Sequence, residues 1–279
     1  MKNIIRRLRH FSLFDGIIII LVICGILAFA YTFFRKATYI TVTIKVGANN
    51  VMWTGGSSTD WFSYALHKGM TQKDGFGRIN AEILTARNYQ IDDQRSTEYI
   101  TVKLNTVYSR ATNQYTFQGK PVLLGSPIKL YLDQLLVEGL VTRMDGVKDY
   151  RVKKVITVEV QLREESPVFP ENSGVRQYIA DAITEGQEIK DSQGETVIKI
   201  LKKTVEDAKK IVTTSGGEVL LQRDPLKKDV YLILQIQAVE LNDRYYVFDD
   251  IPVLIGYSIP LSTKTYSVLP DVTKFLSPL

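Results

Sequence analysis

Apolar and polar residues alternate along Ile40–Val46 (ITVTIKV). This sets Ile40, Val42, Ile44 and Val46 on one face and predicts a half-buried strand. Ile156–Leu162 (ITVEVQL) repeats the pattern with Ile156, Val158, Val160 and Leu162. Asp60–Lys68 (DWFSYALHK) and Gln177–Glu185 (QYIADAITE) carry apolar residues at helical spacing, and each runs into a glycine, Gly69 or Gly186. Glycine accepts the left-handed conformation that stops a helix, so two short helices ending there are expected. A Lys-Asp turn then leads into strands ending at Ile83-Leu84 and Ile200-Leu201. Longer strands follow at Glu98–Tyr108 and Val230–Leu241. Turns at Thr112-Asn113-Gln114 and Asn242-Asp243-Arg244 fold them into hairpins.

These elements recur in order. Tyr115–Leu130 (YTFQGKPVLLGSPIKL) and Tyr246–Leu261 (YVFDDIPVLIGYSIPL) share eight of sixteen positions without a gap, at an offset of 131. Gly69–Leu84 and Gly186–Leu201 share six of sixteen at 117, and the first strands match at 116. Three blocks in one order indicate a tandem duplication. The jump of 14 locates an insertion in the second copy within Thr204–Asp229, where Ser215-Gly216-Gly217 and Asp224-Pro225 supply turn chemistry. The period is too long for a solenoid. The expected fold class is mainly β with short helices. It consists of two tandem barrel-like or sandwich-like domains, at residues 38–147 and 150–279.

One segment breaks the pattern. Gly16–Phe34 (GIIIILVICGILAFAYTFF) is uncharged over 19 residues, long enough as a helix to span roughly 28 Å of a ~30 Å hydrocarbon core. Lys2, Arg6, Arg7 and Arg9 precede it, and Arg35 and Lys36 follow. The larger basic cluster favours a cytoplasmic leader at residues 1–15, a transmembrane helix at 16–34 and an extracytoplasmic remainder. A cleaved signal peptide ending at Ala28-Phe29-Ala30 is the alternative. Ile23 stands where a lipoprotein signal needs a small residue before Cys24.

Composition narrows the function classes. Of the net charge of +5, residues 1–34 carry +3 and the other 245 residues +2, so no basic face for nucleic acid is indicated. The pairs Lys202-Lys203, Lys209-Lys210 and Lys227-Lys228 are interrupted by acids and read as a solvated face. Cys24 is the only cysteine, and His10 and His67 the only histidines. These exclude a disulfide framework, a thiolate metal site and a histidine triad in the exterior part. An exterior domain without disulfides is typical of bacteria. No phosphate-binding glycine loop is present, and no cofactor or metal ligand set is expected.

The candidate site is the pair of turns Lys73-Asp74 and Lys190-Asp191, followed by Gly77 and Gly194. Two readings stand: a repeated ligand-contacting loop, or a turn in which Asp bonds its own backbone. Asp92-Asp93 and Asp249-Asp250 lack the spacing of a calcium loop. Trp53 and Trp61 flank the loop Gly55–Ser58 and suit either sugar stacking or packing.

Phe14-Asp15-Gly16 ahead of the apolar run, with a later V-x-x-G-x-x-I-x-L strand, resembles an uncharacterised bacterial family of single-pass membrane-anchored proteins. The resemblance covers the anchor and the first copy. It implies an envelope setting linked to surface polysaccharide and supplies no catalytic residues. The expected function is a non-enzymatic adapter or scaffold with a protein partner in the envelope. The alternatives are a membrane-fusion-type transport adaptor and a carbohydrate-active enzyme with two carboxylates across a cleft.

Overall fold

The computed structural model describes residues 13–34, 38–47, 58–163 and 174–277. The basic leader up to residue 12, Arg35, Lys36 and Trp53 lie outside them. Two compact units are present, Met1–Tyr39 and Ile40–Leu279.

In the first unit, helix α1 covers Leu13–Phe34. Among the described residues no helix is long and apolar enough to cross a membrane. The single-pass reading therefore rests on the sequence alone.

The second unit is almost entirely β. Its first half contains β1 (Thr38–Val46), β2 (Ser58–Thr59), α2 (Asp60–Ala65), β3 (Thr71–Lys73), β4 (Ile79–Gln90), β5 (Arg95–Ser109), β6 (Gln114–Phe117), β7 (Lys120–Val122), β8 (Pro127–Leu132) and β9 (Leu135–Met144). Its second half contains β10 (Val152–Leu162), β11 (Val175–Arg176), α3 (Gln177–Ala182), β12 (Glu188–Lys190), β13 (Thr196–Thr213), β14 (Val219–Leu241), β15 (Arg244–Val247), β16 (Ile251–Val253), β17 (Leu261–Ser262), β18 (Ser267–Val268) and β19 (Asp271–Ser277). The first sheet runs β3-β4-β5-β1-β9-β8 and the second β12-β13-β14-β10-β19, so corresponding strands take corresponding places. In the first half the sheet curls on itself. The Asp133 N–H, just past β8, donates to the Thr71 carbonyl on β3 at 3.0 Å. Such closure removes an exposed edge.

Local detail recurs as well. Gly69 and Gly186 donate to Ile83 and Ile200 at 2.9 and 2.8 Å, and Gly125 and Gly256 donate to Val141 and Val272, each at 2.8 Å. Both hairpins carry a bulge at the same place, between Ile83 and Thr85 and between Ile200 and Lys202. The short helices end earlier than the glycines suggest. Leu66 and Ile183 turn extended at ψ 120° and 125° and bury their side chains, and Gly69 and Gly186, with positive φ, stand two residues ahead of β3 and β12.

The pairing also refines the alignment. Asn88 faces Glu98 and Val205 faces Val230, so the offset rises from 117 to 132 across the hairpin. It falls to 130 at Gln114 and Arg244, because the second turn is only the two residues Asn242 and Asp243, both with positive φ. It reaches 131 by Val122 and Val253. Tyr115 thus corresponds to Tyr245 rather than Tyr246, and buried Phe117 to Val247. Phe248 takes the left-handed place of Gln118, at φ 54° against 49°. The extra hairpin residues form a two-stranded ribbon, pairing Ala208 with Asp224 through Thr213 with Val219.

The expected division into two domains near residues 147–150 is replaced by one unit. Each half has its own apolar cluster, but Tyr89 and Tyr99 of the first half belong to the cluster of the second. Tyr89 lies 5.2 Å from Phe248, ring centre to ring centre, and 6.2 Å from Tyr99 in an edge arrangement. Aromatic rings remove large areas from water, and these two lock the halves together.

Candidate functional site

Both Lys-Asp turns are closed by their own carboxylates. The Asp74 Oδ1 accepts the Phe76 and Arg78 N–H groups, both at 2.9 Å, and the Asp191 Oδ1 accepts those of Gln193 and Glu195, both at 2.9 Å. The Asp74 Oδ2 also takes the Arg78 Nε at 3.0 Å. The Arg78 backbone hydrogen bond, followed by the other Phe76 and Arg78 contacts, holds the Asp74 carboxyl below the usual carboxylate range.

In the second half Glu195 stands where Arg78 stands in the first, so Asp191 has no local cation. Its Oδ2 meets the Arg87 Nε of the first half at 3.3 Å, and Arg87 also reaches Glu195 at 3.1 Å. The Ser192 N–H donates to the Asn88 carbonyl at 3.1 Å, and the Asn88 N–H to the Ser192 hydroxyl at 2.9 Å. The turn at Lys190-Asp191 is thus a seam between halves, whereas that at Lys73-Asp74 is open to solvent. Asp249 and Asp250 serve the same seam, paired with Arg143 at 3.3 Å and with Lys45. Asp92 caps its own turn at Gln94 and Arg95. Among the described residues no group of three or more metal-binding side chains occurs.

Beside this seam lies a cleft of about 660 Å³. Asp60, Ser63, Tyr64 and His67 line it from α2 and the segment after it, and Asn88, Gln90 and Glu98 from β4 and β5. Lys190, Asp191 and Lys264 line it from the second half. Lys190 and Asp191 therefore meet at the cleft, while Lys73 and Asp74 are not among its lining residues. Glu98 is 1% exposed, and its Oε2 has no hydrogen-bond partner. Burial pushes its carboxyl up to about 8, opposed by a hydrogen bond from Ser63, so the acid is largely neutral at pH 7. Ser63 in turn bonds Ser96. The Gln90 Nε2 donates to both Asp60 carboxylate oxygens, at 2.9 and 3.1 Å. The His67 Nδ1 donates to the Ala65 carbonyl at 3.0 Å. Trp61, beside Asp60, is exposed.

Sequence reasoning missed Glu98, yet it left a signal. Glu98 continues the inward face of β5 set by Ile100, Val102 and Leu104, where an acid is out of place. Its counterpart in the second half is Val230, and that of Ser63 is Ala180, both fully buried.

Comparison with family models, with curated proteins and with solved structures finds no match to this chain.

Proposed function

We propose that the protein is a membrane-anchored extracytoplasmic adapter of the bacterial cell envelope, non-enzymatic and linked to surface-polysaccharide assembly or export. The observation that carries this reading is the charge-free run Gly16–Phe34 within α1, joined to a single large β unit. As a helix the 19-residue run would extend roughly 28 Å at 1.5 Å per residue. Four basic residues before the run against two after it support an inside N-terminus. The resemblance carried by Phe14-Asp15-Gly16 supports the same setting. Arg87, Asp191, Asp249 and Asp250 are engaged within the unit, which favours a rigid binding body over a mobile one.

Fractionation and crosslinking test the proposal. Alkaline-washed membranes should retain the full chain, and protease added outside spheroplasts should digest the β unit. Release into the soluble fraction, or protection of the β unit, contradicts the anchor. Crosslinking in native membranes followed by capture should recover a defined envelope protein. Recovery of none contradicts the adapter role.

A further inference from the structure

The two halves share one fold, so each serves as a control for the other. Where the second half buries Val230 and Ala180, the first places Glu98 and Ser63. Burying an acid with an unpartnered oxygen costs free energy that valine does not. The fold does not require that cost, since the second half is built without it. Asn88, Tyr64, His67 and Lys68, all facing the cleft, stand where the second half has Val205, Asp181, Thr184 and Glu185. The buried Glu98–Ser63 pair and the Asn88 amide therefore have no polar equivalent in the second half, which contributes Lys190, Asp191 and Lys264 to the same cleft.

The charges that face the cleft are unequal once pairing is considered. Asp191 is paired with Arg87, whereas Asp60 accepts two hydrogen bonds from the neutral Gln90 amide and keeps its single negative charge. Lys190 is shared with Glu188 at 3.3 Å. No carboxylate pairs with Lys68 or Lys264 among the described residues. An acid kept neutral by burial adds a donor rather than a negative charge. The cleft thus presents two unpaired lysines against one ionised carboxylate, a buried carboxyl with one unpartnered oxygen and, at its rim, the Tyr64 ring at 84% exposure. Its volume falls within the range of 300–1,000 Å³ usual for ligand sites and holds more than one sugar ring.

We propose that this cleft binds an anionic oligosaccharide. Lys68 and Lys264 neutralise its acidic groups, Tyr64 stacks against a ring face, and Glu98 with Asn88 hydrogen-bonds its hydroxyls. The proposal gives the polysaccharide of the preceding reading a site and a chemistry, and it does not depend on the anchor.

The test is fluorescence anisotropy on the full chain in detergent, with labelled tetragalacturonate as probe and labelled maltotetraose as the neutral control. Tetragalacturonate should bind about tenfold more tightly than maltotetraose, and Lys68→Ala with Lys264→Ala should weaken it by about tenfold. Lys148→Ala, away from the cleft, should leave it unchanged. Converting the first half to the residues of the second, Ser63→Ala with Glu98→Val, should weaken binding by a similar factor without lowering the unfolding midpoint. That last result separates a ligand site from a structural role. The proposal is overturned by absence of tetragalacturonate binding, by equal binding of both saccharides, or by cleft variants that bind as the native chain does.

Discussion

The Arg87 Nε of the first half lies 3.3 Å from the Asp191 Oδ2 of the second, and the Asp191 side chain is 1% exposed. This contact depends on one difference between the copies, Arg78 in the first and Glu195 in the second. A turn that satisfies its own aspartate has nothing to offer a neighbour. One that carries a second acid instead attracts a cation from outside. Arg87→Ala should therefore destabilise the chain by about 2–3 kcal/mol in urea unfolding. The value lies below that of a fully buried pair because Arg87 is partly exposed. An unchanged midpoint would show that the seam is held by packing alone.

Tyr89 carries the packing side of the same seam. Tyr89→Ala should cost about 3–5 kcal/mol, in the range of large-to-small core changes. Hydrogen exchange would reveal the route. Protection should fall around Phe248 and Val239 in the second half as well as in β4, because Tyr89 is packed into the second cluster.

Glu98 makes stability depend on pH. Its folded value of about 8 exceeds the ordinary glutamate value of 4.5. Between these limits the folded chain holds a proton that the unfolded chain releases. Stability is thus highest below pH 4.5 as far as Glu98 is concerned, and falls by up to about 1.4 kcal/mol per pH unit toward pH 8. Glu98→Gln should remove that slope. Denaturant midpoints at pH 5, 6, 7 and 8 for both proteins decide it.

At Gly139 strand β9 runs against β1 with no room for a side chain. A Cβ there would overlap the Lys45 carbonyl oxygen and stand 2.6 Å from the Ile44 Cγ2. The obstacle is backbone within a paired ladder, which cannot rotate aside as a side chain can. Gly139→Ala should destabilise by about 1–3 kcal/mol, read as a lower thermal midpoint.

Beyond Ala208 and Asp224 the strand pairing of the ribbon is between its own two arms, and Ile211, Val219 and Leu221 on it are exposed, while at its base the Lys209 carbonyl accepts from Arg163 and the Lys209 N–H donates to Asp229 at 3.2 Å. Replacing residues 210–222 with an Asn-Gly turn, which keeps Lys209 and its contacts, should change unfolding free energy by less than about 1 kcal/mol. A large loss would show that the ribbon packs against the unit.

Much of the fold was legible in local pattern. Alternation from Ile40 to Val46 and from Ile156 to Leu162 marked strands with one buried face, and both are so buried. Gly77 and Gly194 followed the repeated Lys-Asp turns, and both have positive φ. Asp74 and Asp191 marked turns closed by their own side chains. Such features involve atoms a few residues apart, so sequence spacing specifies them. Glu98 was legible in principle, as an acid on an apolar strand face, but one polar position does not reveal whether a partner or a cavity awaits it.

The sequence by itself determined the repeat, the strand faces, the turn chemistry and the place of the insertion. The tertiary structure decided that Tyr115 corresponds to Tyr245, that Phe248 takes a left-handed turn position, and that Tyr89 packs in the other half. It also decided that one copy of a repeated turn faces solvent while the other closes a seam. The physical reason is range. Alternation and turn residues act through neighbouring backbone, whereas register and docking depend on which distant surfaces bury each other, and Arg87 and Asp191 are 104 residues apart.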